Sequence, residues 1–151
     1  MTDSQKQQSK VPESYAEVEK ISRSMLVWAN TFPEKPVDII RYEQLRVEVS
    51  MALSTVQGAY ITKRYILGGH QGEYAFQIFY RIKPGDSNDA RLDADALLNR
   101  FGDWARKNLP DLGDAVRPLR MEPTAQSSKM AAYEDGFEDY MIPMKLTYEI
   151  V

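Results

Sequence analysis

The stretch Tyr60-Ile61-Thr62-Lys63-Arg64-Tyr65-Ile66-Leu67, then Gly68-Gly69-His70-Gln71-Gly72, then Glu73-Tyr74-Ala75-Phe76-Gln77-Ile78-Phe79-Tyr80-Arg81-Ile82 decides the fold. Aromatic and β-branched residues fill both flanks and glycines break the middle, the pattern of a long β-hairpin with its turn at 68–72. Tyr74, Phe76, Ile78, Tyr80 and Ile82 share one face of the second strand. That face is solidly apolar and is expected to lie against helices. Pro84-Gly85 ends the strand, and from Ala94 the apolar period changes from two to 3.6, with Leu97, Leu98, Phe101, Trp104, Ala105 and Leu109 on one stripe. A helix is predicted there, capped by Asp86, Ser87 or Asn88, with Asp89 near its start and Arg106 and Lys107 near its end in the order that suits the helix dipole.

Upstream, Tyr15, Val18, Ile21, Met25, Trp28, Ala29 and Phe32 recur three and four apart, which predicts a first helix ended by Asn30-Thr31 and Pro33. Residues 1–12 are polar and predict a flexible tail, leaving 13–151 as a single domain. Val37 to Tyr42 fits either a short strand or a turn of helix. From Val47, alternation places Val49, Met51, Leu53 and Thr55 on one side of a half-buried strand closed by Gln57-Gly58.

Downstream, Ala115 to Pro123 is held extended by two prolines, as in an edge strand. Thr124 to Gly136 reads as a long loop, acidic at its end through Glu134, Asp135, Glu138 and Asp139. The last run alternates, with Tyr140, Ile142, Met144, Leu146, Tyr148 and Ile150 on one face of a strand. Pro143 falls on the other face, where an edge or bulge is expected to absorb its missing donor. The fold class predicted is α+β: an antiparallel or mixed sheet with two main helices packed on one face.

The chain of 151 residues has a net charge of −3, so it lacks the basic excess of a nucleic-acid binder, and no sequence-specific nucleic-acid partner is expected. It has no cysteine, which excludes disulfides, thiolate zinc and cysteine nucleophiles. No apolar run predicts a membrane span or a signal peptide, and a cytoplasmic site of synthesis is expected. His70, the single histidine, reads as a turn residue, with no second metal ligand at fixed spacing and no nucleophile beside it. The glycines around it are followed by a strand and lack the Gly-Lys-Ser/Thr of a phosphate loop. Neither an enzyme nor a cofactor or metal is predicted. Phe79, with Ile61, Tyr65 and Leu67 beside it, makes the face turned away from the helices apolar too, which favours a protein that packs against another subunit.

Tyr65-Ile66-Leu67-Gly68-Gly69, Tyr74 through Tyr80-Arg81, Phe101-Gly102-Asp103-Trp104, Leu109-Pro110-Asp111-Leu112 and Asp139-Tyr140-Met141 through Leu146-Thr147-Tyr148 follow one another in an order that resembles the tail terminator and minor capsid proteins of long-tailed phages or prophages. The resemblance spans residues 15–151. It implies a virion protein, assembled in the bacterial cytoplasm, that closes as a homohexameric ring on the tail tube. The ring stops polymerisation and presents a surface for the head. The implied partners are the chain itself, the tube protein and a head-completion or connector protein. A ring needs two different complementary patches per subunit. Glu134, Asp135, Glu138 and Asp139 facing Lys63, Arg64, Arg41 or Arg46 are the candidate pair. A head-side connector is the alternative within the same class; a small ligand-binding domain with a pocket between helices and sheet is the alternative outside it.

Overall fold

The computed structural model describes residues 17–56 and 61–150, and of Ile61 and Thr62 the backbone only. The proposed tail at 1–12, Tyr15 and the strand end at Gln57-Gly58 lie outside the described residues. The elements are α1 over 17–29, β1 Ile40–Tyr42, β2 Ser50–Thr55, β3 Ile61–Arg64, β4 His70–Ile82, α2 Asn88–Lys107, β5 Val116–Pro123, β6 Ser128–Ala132 and β7 Glu138–Ile150. This is the α+β architecture that the periodicities predict. The seven-stranded sheet has the order β1-β2-β4-β7-β5, with β3 on β4 and β6 on β7, and it is mixed because β1 runs parallel to β2.

The sheet is built around two long strands. β4 and β7 pair antiparallel along their whole length, from His70 opposite Ile150 to Ile82 opposite Glu138. On the far side of β4, β2 pairs with Phe76 to Arg81 and β3 with His70 to Gly72, so the two short strands follow one another along the same edge. On the far side of β7, β5 covers Met144 to Ile150 and β6 covers Glu138 to Met141.

One face of that sheet carries the core. Phe76, Ile78, Met51, Leu53, Leu146 and Tyr148 are buried there, under Ile21, Met25 and Trp28 of α1 and Leu98 and Phe101 of α2. Trp28 sits at the junction, stacked on Trp104 at 5.1 Å and edge-on to Phe76 and Phe101 at 6.1 and 5.6 Å. Its indole N–H donates to Asn108 O at 2.6 Å, which satisfies the one polar atom the ring would otherwise bury. Gly102 lets α2 come down onto the sheet: a Cβ there would meet Ile142 Cδ1 at 3.1 Å.

Of the three expected caps, Ser87 is the one that caps α2, its hydroxyl accepting from Ala90 N at 3.1 Å. Leu109, expected on the helix stripe, lies beyond the helix end and is 43% exposed, while Leu112 is buried. β2 begins at Ser50 rather than Val47, because the Ser50 hydroxyl accepts from Arg46 N and donates to Glu48 O and folds 46–49 into a turn. The ambiguous segment after Pro36 is a strand at Ile40, held by the Asn30 side-chain amide, which bonds both Ile40 N (2.7 Å) and Ile40 O (3.0 Å). Thr124 to Gly136 is not a loop throughout: Ser128–Ala132 forms β6.

β7 is interior, not an edge, and Pro143 sits in it without a bulge. Thr124 N donates to Pro143 O at 2.9 Å as β5 leaves and before β6 begins, so the proline nitrogen meets the changeover where no partner strand needs a donor.

Candidate functional site

Glu138 and Asp139 were expected in a solvated acidic loop, but they open β7 and are 8% and 4% exposed. Being consecutive in a strand, they point to opposite faces, and each clamps its own face. Glu138 receives Arg91 of α2 through Nε and Nη2 at 3.0–3.2 Å and the Tyr140 hydroxyl at 3.0 Å. The Arg91 guanidinium holds the Glu138 carboxyl below its ordinary 4.5. Burial, with the Glu138 carboxylate beside it, pushes the Tyr140 phenol up to about 12. Asp139, on the outer face, is gripped in parallel by Arg81 Nε and Nη2 at 2.7 and 2.9 Å and accepts from the Tyr133 hydroxyl at 2.8 Å. That pairing raises the Arg81 pKa further, so the guanidinium stays charged.

The Arg81–Asp139 pair forms one wall of a concavity of about 400 Å³ on the outer face. Ala52 of β2 and Phe79 of β4 form its floor, Met130 and Tyr133 rise from the β6 side, and Glu43 to Leu45 close the far side. Arg81 and Asp139 neutralise each other, and the hollow is apolar at the floor. Glu43 and Ser54 add polar groups to its lining, and the exposed acids Glu134 and Asp135 follow Tyr133 in the chain. Glu43 has φ +56, a left-handed conformation rare outside glycine, asparagine and aspartate. It is held there because its carboxylate accepts from Thr55 N at 2.6 Å and from the Ser54 and Thr55 hydroxyls at 2.9 and 3.1 Å. Strain of that kind is retained where the surroundings over-determine the conformation, often at functional surfaces.

At the opposite end of the sheet the hairpin is shorter than its sequence pattern predicts. β3 stops at Arg64, and Tyr65 to Gly69 make the turn, with Tyr65 N donating to Gly69 O and Gly68 N to Tyr65 O. Gly68 and Gly69 take φ +101 and +79, conformations that explain both glycines. Ile66 and Leu67 stand at the tip fully exposed, 101% and 100%, while Tyr65 is anchored through its hydroxyl to Glu149 at 3.0 Å. Lys63 and Arg64 are exposed beside them. Of the expected interface residues, Lys63 and Arg64 therefore lie at one end of the molecule, Glu134 and Asp135 at the other, and none of these is in an ion pair among the described residues.

His70 is the first residue of β4 and not a turn residue. Its Nε2 lies 3.0 Å from Glu17 Oε2, which also accepts from the Tyr148 hydroxyl at 3.0 Å. Together with the Ser22–Tyr74 hydroxyl pair at 2.8 Å this fastens α1 to the sheet. Glu17 was legible in principle, for it continues the stripe of Ile21 and Met25 by one step of four and puts a carboxylate on the buried side.

No family model matches the chain, and no curated protein does. Several solved structures are similar to it, among them a chain at 17% identity with a TM-score of 0.43, covering 88% of this chain and 92% of its own length.

Proposed function

We propose that this chain is a virion assembly subunit, a tail terminator that closes as a ring on the tail tube, ends its growth and presents a surface to the head. The observation that carries the reading is a pair of apolar surfaces away from the helices: the Ile66-Leu67 tip and the hollow floored by Phe79 and Ala52. Two unlike apolar surfaces at opposite ends suit a subunit with head-to-tail neighbours, because an isologous dimer uses one patch twice. The tail-terminator assignment itself comes from the motif order described above. A head-side connector built on the same subunit is the second reading, favoured by the same two surfaces.

Purified tube protein polymerised with and without this chain tests the proposal. Tubes that stop growing in its presence, with rings at one end by electron microscopy, are the expected result. Tube lengths unchanged at a molar excess of the chain, together with binding to filled heads, would transfer the assignment to the connector. Light scattering on the chain alone is expected to give a mass above that of the 17.3 kDa monomer at high concentration.

A further inference from the structure

We propose that the hairpin tip of one subunit seats in the outer-face hollow of the next: Ile66 and Leu67 enter over Phe79 and Ala52, and Lys63 and Arg64 face Glu134 and Asp135 across the rim. The inference rests on the ring reading and names its subunit contact.

Four features point to this occupant. The tip offers two consecutive apolar side chains with no cover, and the turn that displays them is closed by the Tyr65 N to Gly69 O bond and anchored by the Tyr65–Glu149 bond. The hollow, at about 400 Å³, is large enough for two such side chains, its floor is made of Ala52 and Phe79, and the charges of its Arg81–Asp139 wall cancel. Lys63 and Arg64 beside the tip, and Glu134 and Asp135 directly after the lining residue Tyr133, are exposed charges of opposite sign in no ion pair among the described residues, and their attraction would orient the approach. Finally, the tip cannot reach its own hollow. From His70 to Phe79 the chain runs straight along β4, about 30 Å at the rise of a strand. The contact must come from a second copy, and head-to-tail contacts of this kind close into rings or run on as filaments.

The chain contains no cysteine, so single thiols can be placed without background. Leu67→Cys and Met130→Cys both alter exposed side chains and leave the core intact. Mixed and mildly oxidised, the two variants are expected to give a heterodisulfide dimer far in excess of a control mixture of L67C with L92C, which places the second thiol on an exposed position of α2. Adding K63E/R64E to the first partner, or E134K/D135K to the second, should cut the yield severalfold, and combining both reversals should restore it.

A yield no higher than the control overturns the proposal, as does a disulfide formed mainly between two L67C copies. Light scattering on the same samples separates the two levels. An oligomer without the heterodisulfide overturns this contact and leaves the ring standing; a monomer without it at every concentration removes both.

Discussion

Thr147 is completely buried in β7, and its hydroxyl oxygen has no hydrogen-bond partner among the described residues. An unsatisfied buried hydroxyl costs on the order of 1–3 kcal/mol. Thr147→Val keeps the branched shape that suits a strand and removes the polar atom. It is expected to stabilise the protein by about 1 kcal/mol, a rise in melting temperature of roughly 2–4 °C, and a fall in melting temperature would show that the oxygen is satisfied in solution. Asp139 behaves in the opposite way. Asp139→Ala leaves the Arg81 guanidinium, 17% exposed, without its carboxylate and Tyr133 without its acceptor. A loss of about 2–3 kcal/mol is expected in denaturant titration, less than the ~3–5 of a fully buried pair because Arg81 keeps some water. Glu138 gives a pH dependence. Its folded pKa is depressed below 4.5, so its contribution is complete above that value and is lost as pH falls through the folded one. Glu138→Gln should therefore be less stable at neutral pH and lose less stability between neutral and acid pH. Parallel acid-unfolding curves for the two proteins would show that Arg91 does not depress Glu138.

At the scale of elements, legibility followed the period of the apolar residues. The stripe Ile21, Met25, Trp28 and Phe32 and the alternation Tyr74, Phe76 and Ile78 each had a whole core face behind it, so helix α1 and strand β4 could be read directly. β6 could not, because Ser128 to Ala132 is largely exposed and lies on an edge, where backbone pairing to β7 supplies the stabilisation and the side chains carry no pattern. Glu138 and Asp139 were misplaced for a related reason. Their carboxylates look solvated until Arg91 and Arg81, 47 and 58 residues away in sequence, are brought beside them. The same limit hid the hollow, whose lining comes from five separate stretches of the chain. The hairpin was overextended in the sequence reading because Tyr65, Ile66 and Leu67 are strong strand formers; the turn wins because Gly68 and Gly69 supply its positive φ. Gly68→Ala tests that. Open space surrounds the site, so only backbone strain opposes the methyl group. A destabilisation of about 1 kcal/mol is expected, with any assembly weakened because the tip is displaced; unchanged assembly would mean that the tip does not enter the contact.

Across the whole molecule, the net charge of −3 is unevenly placed, with Lys63 and Arg64 at the hairpin end and Glu134 and Asp135 beside the hollow. In the proposed contact these two places would attract one another, and like ends would repel. Charges at exposed rims act mainly on encounter rates and are screened over about 10 Å at ~0.1 M salt. Apolar seating in the hollow is insensitive to salt of that strength. The two contributions can therefore be separated by ionic strength. Raising sodium chloride from ~0.05 to ~0.5 M shortens the screening length more than threefold and is expected to slow association several-fold in stopped-flow light scattering. The final mass at high protein concentration should stay nearly constant. If the assembled mass collapses over that range, charge pairing rather than the Ile66-Leu67 tip holds the subunits together. In that case the K63E/R64E and E134K/D135K variants, and not changes at Leu67, would set the strength of the assembly.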